Sequence, residues 1–175
     1  TYVLDTSVLL ADPLALVRFD EHAVVLPIVV LIELEAKRDH PELGWSARQA
    51  LRHLEQLRLQ HGSLTEPIPV NAQGGTLRVE LNHQNTDGLP SAMTADNNDH
   101  RILAVAHNLS REGLDVSVVT KDLPLRLKAS IVGLDADEYR NELASDPSWN
   151  GFVDLEVEPD DIDELFAERI LDLPE

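Results

Sequence analysis

The amino-acid sequence predicts an α/β fold with a mainly parallel central sheet and helices on both faces. Short apolar runs that are typical of buried strands occur at 2–4, 23–26 and 116–119. Longer stretches with apolar residues at helical spacing separate these runs. Strands that alternate with helices along a chain favour parallel pairing, because each helix returns the chain to the starting edge of the sheet.

The chain opens on a strand that leads directly to an acidic residue. The apolar run at 2–4 places Asp5 at the carboxyl end of this strand, followed by the hydroxyl side chains of Thr6 and Ser7. Ligands of open parallel sheets bind at that end of the strands. An Asp in this place also commonly caps the helix that follows. The opening stretch leaves both roles of Asp5 open.

The first half of the chain is predicted to hold one further strand and three helices. Asp12-Pro13 is a typical helix start, since Pro favours the first helical position. Glu33 is expected near the inner side of the helix that follows the second strand. The predicted elements are a helix at 12–19, a strand at 23–26, a helix at 28–38 and a helix at Gly44–His61.

The second half of the chain continues the alternation of strands and helices. The pair Gly74-Gly75 indicates a turn before a strand with alternating polarity, and Gly113 lies just beyond the end of a helical pattern. The predicted elements are a strand at 76–81, helices at 96–111 and 123–129, a strand at 116–119 and a small strand near 131–132 or Leu134.

Composition changes after Tyr139. Residues 144–175 hold 11 acidic side chains against one basic side chain, so more than half of the net charge of −18 lies there. We therefore expect a folded domain at 1–143 and an acidic linker or connector at 144–175. Within this connector, a strand is predicted at 152–157 and a helix at 159–170.

Several classes of site and location are disfavoured by composition. The chain has no Cys, which excludes disulfides, thiol nucleophiles and Cys-ligated zinc. No apolar run reaches the length of a membrane span, and no signal peptide opens the sequence. We expect a cytoplasmic protein without membrane contact. The acidic balance argues against nucleic acid as a partner, unless the carboxylates outside the tail gather around metal ions.

Four acids occupy equivalent places in the predicted sheet. Asp5, Glu33, Asp99 and Asp122 each lie near the carboxyl end of a strand or in the helix that follows it. Carboxylates that meet at one edge repel one another unless cations neutralise them or some of them take up protons. Oxygen ligands suit Mg²⁺ or Mn²⁺. Two such ions about 4 Å apart support phosphodiester hydrolysis by activating water and stabilising the leaving oxygen.

Each acid also has a purely structural interpretation. Glu33 fits an exposed helix acid, and Asp122 fits a cap of the short helix after it. Asp96 and Asp99 fit an N-cap and a first-turn acid that complements the helix dipole. Only the joint pattern of the four positions favours a metal site over these separate roles.

Four blocks of the sequence resemble the PIN-domain ribonucleases, and more closely the N-terminal PIN domain of PhoH-family proteins. The resemblance covers residues 1–143. The blocks are Val3-Leu4-Asp5-Thr6-Ser7-Val8-Leu9-Leu10, Pro27-Ile28-Val29-Val30-Leu31-Ile32-Glu33-Leu34, Asp99-His100-Arg101-Ile102-Leu103-Ala104 and Val118-Val119-Thr120-Lys121-Asp122.

The resemblance implies a PIN-like three-layer α/β/α sandwich and an endoribonuclease, related to the VapC toxins, that cuts single-stranded RNA. It implies a cluster of Asp5, Glu33, Asp99 and Asp122 that binds Mg²⁺ or Mn²⁺, with two ions expected. Three further residues are expected to support this cluster without binding the ions as main ligands. They are Ser7, Asp96 and Thr120.

PhoH-family proteins also carry a C-terminal P-loop ATPase domain. The Gly-x-x-x-x-Gly-Lys-Ser/Thr signature of a P-loop is absent from this sequence, so ATP binding is not expected of it. The resemblance therefore implies an ATPase domain as a partner within a longer protein, and a homo-oligomeric assembly. RNA is the implied substrate.

Basic side chains are candidates for contacts with RNA phosphates. Arg101 ranks first because it lies beside Asp99, and Lys37, Arg38 and Lys121 follow. The alternative for each is a charge on a solvated face. Aromatic residues make up 4% of the chain and form no base-stacking pattern, so recognition is expected to depend on backbone charge and shape.

Three alternatives compete with the nuclease interpretation. A haloacid-dehalogenase phosphatase needs Asp-x-Asp after the first strand, where this chain has Asp5-Thr6-Ser7. A phospho-acceptor receiver domain needs paired acids there and a separate acceptor Asp after the third strand. The third alternative is a catalytically inactive PIN domain that serves as an interaction or assembly module.

Overall fold

The computed structural model describes residues 1–140. The whole chain divides into two units, Thr1–Leu143 and Ala144–Glu175. The strands and helices of the described part alternate along the chain as expected. They are β1 (Tyr2–Leu4), α1 (Thr6–Ala11), a 3₁₀ helix (Ala15–Val17), β2 (Ala23–Pro27), α2 (Ile28–Lys37), α3 (Gly44–His61), β3 (Ile68–Pro69), β4 (Thr76–Glu80), α4 (Asn98–Arg111), β5 (Ser117–Thr120), α5 (Leu123–Ile131) and β6 (Asp135–Glu138).

The strands form a six-stranded sheet in the order β3-β4-β2-β1-β5-β6 within the described residues. The β4–β2, β2–β1, β1–β5 and β5–β6 pairs are parallel, and the edge strand β3 is antiparallel to β4. In the register of the central strands, Val3 faces Val25 on one side and Val118 on the other. The predicted mainly parallel sheet is confirmed.

Helices cover both faces of the sheet. Successive residues of the central strands are buried, as in Val3 and Leu4 of β1 and Val24, Val25 and Leu26 of β2. Neighbouring side chains of a strand point to opposite faces, so burial of every residue requires cover on both sides. Helix α4 packs against β1, β2 and β5, while α1, α2 and α3 pack against one another. This is the predicted α/β layering.

The order of the strands reverses beside β1. After β1 the chain places β2 and then β4 on one side, and α4 carries it back to β5 and β6 on the other side. In open α/β sheets such a reversal leaves a crevice at the carboxyl ends of the two strands concerned. Here the strands are β1 and β5, which end beside Asp5 and at Thr120.

The prediction of a helix at 12–19 is wrong. The segment forms only the 3₁₀ helix Ala15–Val17, and Asp12 follows the last turn of α1 instead of starting a new helix. The Asp12 side chain is fully buried and accepts hydrogen bonds from Tyr139 Oη at 2.7 Å and Leu14 N at 2.9 Å, with Arg18 Nε also at 2.7 Å. These inward contacts hold the chain in a turn. Burial, together with the bond to Asp12, raises the pKa of Tyr139.

Two strands differ from the sequence prediction. Residues 131–132 are not a strand, because α5 continues to Ile131. The strand beyond it is Asp135–Glu138, which is polar and mostly exposed because it lies at the sheet edge beside β5. The two-residue strand Ile68–Pro69 carries no alternating pattern and was not predicted.

Helix α4 begins later than predicted. Asn97 caps it by accepting a hydrogen bond from His100 N at 3.3 Å, so Asp96 lies outside the helix. The strand predicted at 152–157 and the helix predicted at 159–170 lie outside the described residues. Within residues 1–140, none of the helices combines the length and apolar character needed to span a bilayer.

Candidate active site

Asp5 serves both as a helix cap and as a member of the crevice. Its Oδ1 accepts a hydrogen bond from the backbone N–H of Thr6 at 2.7 Å, at the start of α1. Its Oδ2 accepts hydrogen bonds from Ser7 Oγ at 2.5 Å and from Thr120 Oγ1 at 2.7 Å. The residue is 6% exposed. Asp5 therefore caps α1, and it also lies at the edge of the sheet where a ligand is expected.

Ser7 and Thr120 connect Asp5 to the segment that follows β5. Thr120 Oγ1 accepts a hydrogen bond from the backbone N–H of Asp122 at 2.9 Å, and Ser7 Oγ accepts one from Lys121 N at 3.0 Å. The two hydroxyl oxygens lie 3.2 Å apart. Both residues thus orient Asp5 and the start of α5 together.

Glu33 is held by side chains from α1 and α4. Helix α2 begins immediately after β2, which brings Glu33 to the same edge of the sheet. Glu33 Oε2 accepts a hydrogen bond from Thr6 Oγ1, and Oε1 accepts one from Asn98 Nδ2 at 2.8 Å. Thr6 is the chain neighbour of Asp5, and Asn98 is the chain neighbour of Asp99. Glu33 is therefore hydrogen-bonded to the chain neighbours of two other candidate acids, Asp5 and Asp99.

Asp99 and Asp122 each have a different kind of partner. Asp99 lies in the first turn of α4, and its Oδ2 accepts a hydrogen bond from Lys128 Nζ of α5 at 2.8 Å. Asp122 caps α5 by accepting a hydrogen bond from Leu125 N at 3.4 Å. The structural interpretation of Asp122 as a helix cap is thus realised, alongside its position next to Thr120.

Arg101 and Asp96, two further residues singled out in the sequence, have side-chain partners of their own. Arg101 donates to Gln84 Oε1 from Nε at 2.9 Å and from Nη2 at 2.6 Å, and to Asn98 Oδ1 at 3.5 Å. Asp96 is exposed and accepts from the Thr94 hydroxyl, which lowers the pKa of Asp96. At the end of α2, two basic side chains are exposed, Lys37 and Arg38.

Glu80 was missed by sequence reasoning. It ends β4 at the same edge of the sheet and is 4% exposed. It contacts Arg78 Nη1, accepts from Asn82 N at 2.8 Å and lies 3.1 Å from His83 Nδ1. Burial raises the pKa of Glu80, but the contacts with His83, Asn82 and Arg78 outweigh it and leave the pKa lowered. Glu80 is therefore a charged residue fixed by its own neighbours.

Asn98 and Lys128 were also missed as partners of the candidate acids. Each contact joins elements far apart in the sequence, Asn98 with Glu33 and Lys128 with Asp99. Asn98 directly precedes Asp99 at the start of a helix, and this position was the available signal. The spacing of residues gave no comparable signal for Lys128.

The atoms of the crevice that could bind a metal ion are carboxylate and hydroxyl oxygens, which are the ligands that hard divalent cations prefer. Each carboxylate oxygen has two lone pairs, so the single hydrogen bond described at Asp5 Oδ1 or Glu33 Oε1 leaves coordination capacity. Residues 1–140 contain no group of three or more His, Asp or Glu side chains already placed to hold a metal ion. The chemistry of the donors nevertheless fits Mg²⁺ or Mn²⁺.

Comparison with known proteins identifies relatives over the whole described domain. The model of the PIN domain family matches residues 2–140. Protein PhoH2 of Mycolicibacterium smegmatis is 57% identical over 175 residues, and protein PhoH2 of Thermobispora bispora is 54% identical over 175 residues. Protein PhoH2 of Bacillus subtilis is 42% identical over 165 residues. The matches cover 100%, 100% and 89% of this chain respectively.

The relatives are longer than this chain, which spans 40%, 40% and 37% of their respective lengths. A solved domain of a functionally unknown protein from Methanocaldococcus jannaschii has a TM-score of 0.50 and 18% identity, covering 90% of this chain and 95% of that one. This last likeness shows the fold alone.

The matches confirm the resemblance to the PIN domain of PhoH-family proteins. PIN domains are generally nucleases and generally use divalent metal ions. The family model matches well over half of the sequence, including the strands and helices that carry the crevice. This chain belongs to the PIN domain family.

Proposed function

We propose that this chain is a divalent-metal-dependent endoribonuclease that hydrolyses phosphodiester bonds of single-stranded RNA. The observation that carries the proposal is the position of Asp5. It lies at the crevice between β1 and β5, its Oδ2 is held by Thr120 Oγ1 at 2.7 Å, and its neighbour Thr6 binds Glu33. Membership of a family of nucleases supports the same reaction class.

Asp5, Glu33, Asp99 and Asp122 are the residues that would hold Mg²⁺ or Mn²⁺, with two ions proposed. Bound ions of this kind stabilise charge on a phosphate and lower the pKa of water. The chain's own residues supply the orientation. A hydroxyl donor holds one carboxylate oxygen of Asp5 and an amide donor holds one of Glu33, and these contacts would fix the orientation of both acids toward a bound ion.

Substrate binding is proposed to depend on the RNA backbone. The exposed side chains Lys37 and Arg38 lie at the end of α2, the helix that carries Glu33, where they would contact phosphates on either side of the cleaved bond. Lys121 and Arg101 are candidates for the same role. Gln84 binds the guanidinium of Arg101 and would set its direction.

The described domain is proposed to be one part of a longer protein. Residues 1–143 would form the nuclease, and 144–175 would connect it to a P-loop ATPase domain in a protein that couples RNA cleavage to ATP-dependent RNA unwinding. The shares of 37% to 40% of the PhoH2 relatives leave room for such a domain. We further propose a cytoplasmic homo-oligomer.

The experiment that tests the proposal is cleavage of a circular, unpaired RNA by this chain with Mn²⁺ or Mg²⁺, against the same reaction in EDTA. A circle has no ends, so its conversion to linear products requires an endonuclease. The same sequence in a duplex tests the preference for single strands. Absence of cleavage with either metal would favour the inactive interaction module.

A further inference from the structure

Lys128 neutralises one of the candidate metal ligands. Its Nζ lies 2.8 Å from Asp99 Oδ2 and joins α5 to α4. The side chains are 32% and 31% exposed, so solvent reaches the pair. An ion pair that solvent reaches contributes little net stability, so a divalent cation can displace the ammonium group from Asp99.

We propose that Lys128 binds Asp99 until a divalent cation binds there, and that its side chain then swings away and forms an ion pair with a phosphate of the RNA. This inference rests on the proposed function, because it requires a cation at Asp99. It assigns Lys128 a substrate-binding role that depends on metal binding.

Competition for Asp99 follows from charge. Mg²⁺ binds an oxygen ligand at about 2.0–2.1 Å. An ammonium group at 2.8 Å from the same carboxylate would then face a doubly charged ion at short range. Two like charges at that separation repel, which raises the free energy of the ion-bound state. Lys128 therefore weakens metal binding while it stays on Asp99.

Once it no longer contacts Asp99, the Lys128 ammonium group is well suited to bind a phosphate. Lys has three donors on a flexible four-carbon stem, and it binds phosphate as a point charge without a fixed planar geometry. The base of this stem is fixed by α5, the helix that Asp122 caps. After it leaves Asp99, the ammonium group therefore stays within reach of a phosphate bound beside this acid.

Arg126 provides a matched control on the same helix. Its Nη1 lies 3.2 Å from Glu138 Oε2 of β6, and its side chain is 24% exposed. It thus forms an ion pair of similar exposure that involves none of the four acids. Replacing either cation by Met removes one positive charge from α5 and retains a long apolar stem.

The first measurement is Mn²⁺ binding to RNA-free protein by titration calorimetry. We expect Lys128→Met to bind Mn²⁺ about threefold to tenfold more tightly than the original chain, since the repelling charge is gone. Arg126→Met should bind Mn²⁺ as the original chain does. Unchanged or weaker Mn²⁺ binding by Lys128→Met would overturn the competition, because a merely structural ion pair gives no gain.

The second measurement is the affinity for a single-stranded RNA across a salt series in Ca²⁺, with the RNA checked for integrity afterwards. Lys128→Met should weaken binding, and the slope of log affinity against log salt should fall by about 1. Lys128→Arg should keep the slope. An unchanged slope in Lys128→Met would overturn the phosphate contact.

These outcomes separate the inference from the proposed function. If the original chain cleaves RNA with Mn²⁺ while Lys128→Met matches Arg126→Met in both measurements, the nuclease assignment stands and the inference fails. If the original chain neither binds Mn²⁺ nor cleaves RNA, the proposed function fails and the inference fails with it.

Discussion

Thr120 Oγ1 donates a 2.7 Å hydrogen bond to Asp5 Oδ2, joining residues 115 positions apart. Thr120 is fully buried and Asp5 is 6% exposed, so the bond lies inside the crevice between β1 and β5. The same hydroxyl accepts a hydrogen bond from Asp122 N at 2.9 Å. The Thr120 side chain therefore positions both Asp5, which follows β1, and the beginning of α5.

Replacing Thr120 by Val should reduce both stability and RNA cleavage. Val has nearly the same shape, but it leaves the Asp5 carboxylate without this donor and the Asp122 N–H without its acceptor. The expected loss in the free energy of unfolding is about 1–3 kcal/mol. Cleavage should fall about tenfold or more, since Asp5 loses orientation.

Thr120→Ser is the matched control, because it keeps the hydroxyl and should retain most of the activity. Urea unfolding and cleavage rates with Mn²⁺ would be measured for all three proteins. Equal cleavage by the Val and Ser variants would contradict a positioning role of the hydroxyl.

Asn98 should matter through Glu33. Its Nδ2 donates to Glu33 Oε1 at 2.8 Å, so Asn98→Ala removes a charge-assisted hydrogen bond at a partly buried carboxylate. We expect a cost of about 1.5–3 kcal/mol if Glu33 finds no new donor, and a smaller cost if water replaces the amide. The cleavage rate should fall about tenfold because Glu33 is less constrained.

The control for Asn98 is Ser110→Ala on the exposed side of the same helix, which should leave cleavage unchanged. Steady-state kinetics would separate the two effects. A change confined to stability, with unaltered kinetics in Asn98→Ala, would show that Asn98 serves only the fold.

A chain that ends after Leu143 should fold and cleave RNA. The sheet, all five helices of the described part and the four candidate acids precede that residue. Tyr139 is buried and bonds Asp12, which fixes the end of the described domain. Calorimetry of the truncated and full chains tests this. A truncated chain without a cooperative unfolding transition would mean that the acidic segment belongs to the core.

Strong local patterns made much of the fold predictable. Helix Gly44–His61 was predicted with the bounds that the structure has, because its apolar residues recur at helical spacing over many turns. The apolar run Tyr2–Leu4 identified β1 because a central parallel strand is buried on both faces. Edge strand Asp135–Glu138 gave no such signal, since its side chains are mostly exposed.

The places of the four acids along the strands and helices were predictable from the sequence, but their hydrogen-bond partners were not. Equivalent places at the strand ends brought Asp5 and Glu33 into one hydrogen-bonded network. The Lys128 contact with Asp99 depends on how α5 packs beside α4, and the turn after Asp12 depends on the distant hydroxyl of Tyr139. The separation of these residues along the chain does not predict either the Lys128–Asp99 contact or the Asp12–Tyr139 contact.

The nuclease proposal depends most directly on the charge of Asp5. Asp5→Asn keeps the size of the side chain and caps a helix about as well, so the fold should persist. The substitution replaces one carboxylate oxygen of Asp5, which accepts hydrogen bonds, by an NH2 group that donates them. This change should lower the free energy of unfolding by about 1–2 kcal/mol. Asp135→Asn is the matched control, because it removes the same charge from an exposed residue at the start of β6.

The decisive measurement is the rate of circular-RNA cleavage with Mn²⁺ by the original chain, Asp5→Asn and Asp135→Asn, with thermal unfolding in EDTA recorded for each. We predict that Asp5→Asn unfolds cooperatively but cleaves at least about a hundredfold more slowly, the usual scale for loss of a key electrostatic group. Asp135→Asn should cleave like the original chain. Undiminished cleavage by Asp5→Asn would contradict the assignment of this crevice as the nuclease site.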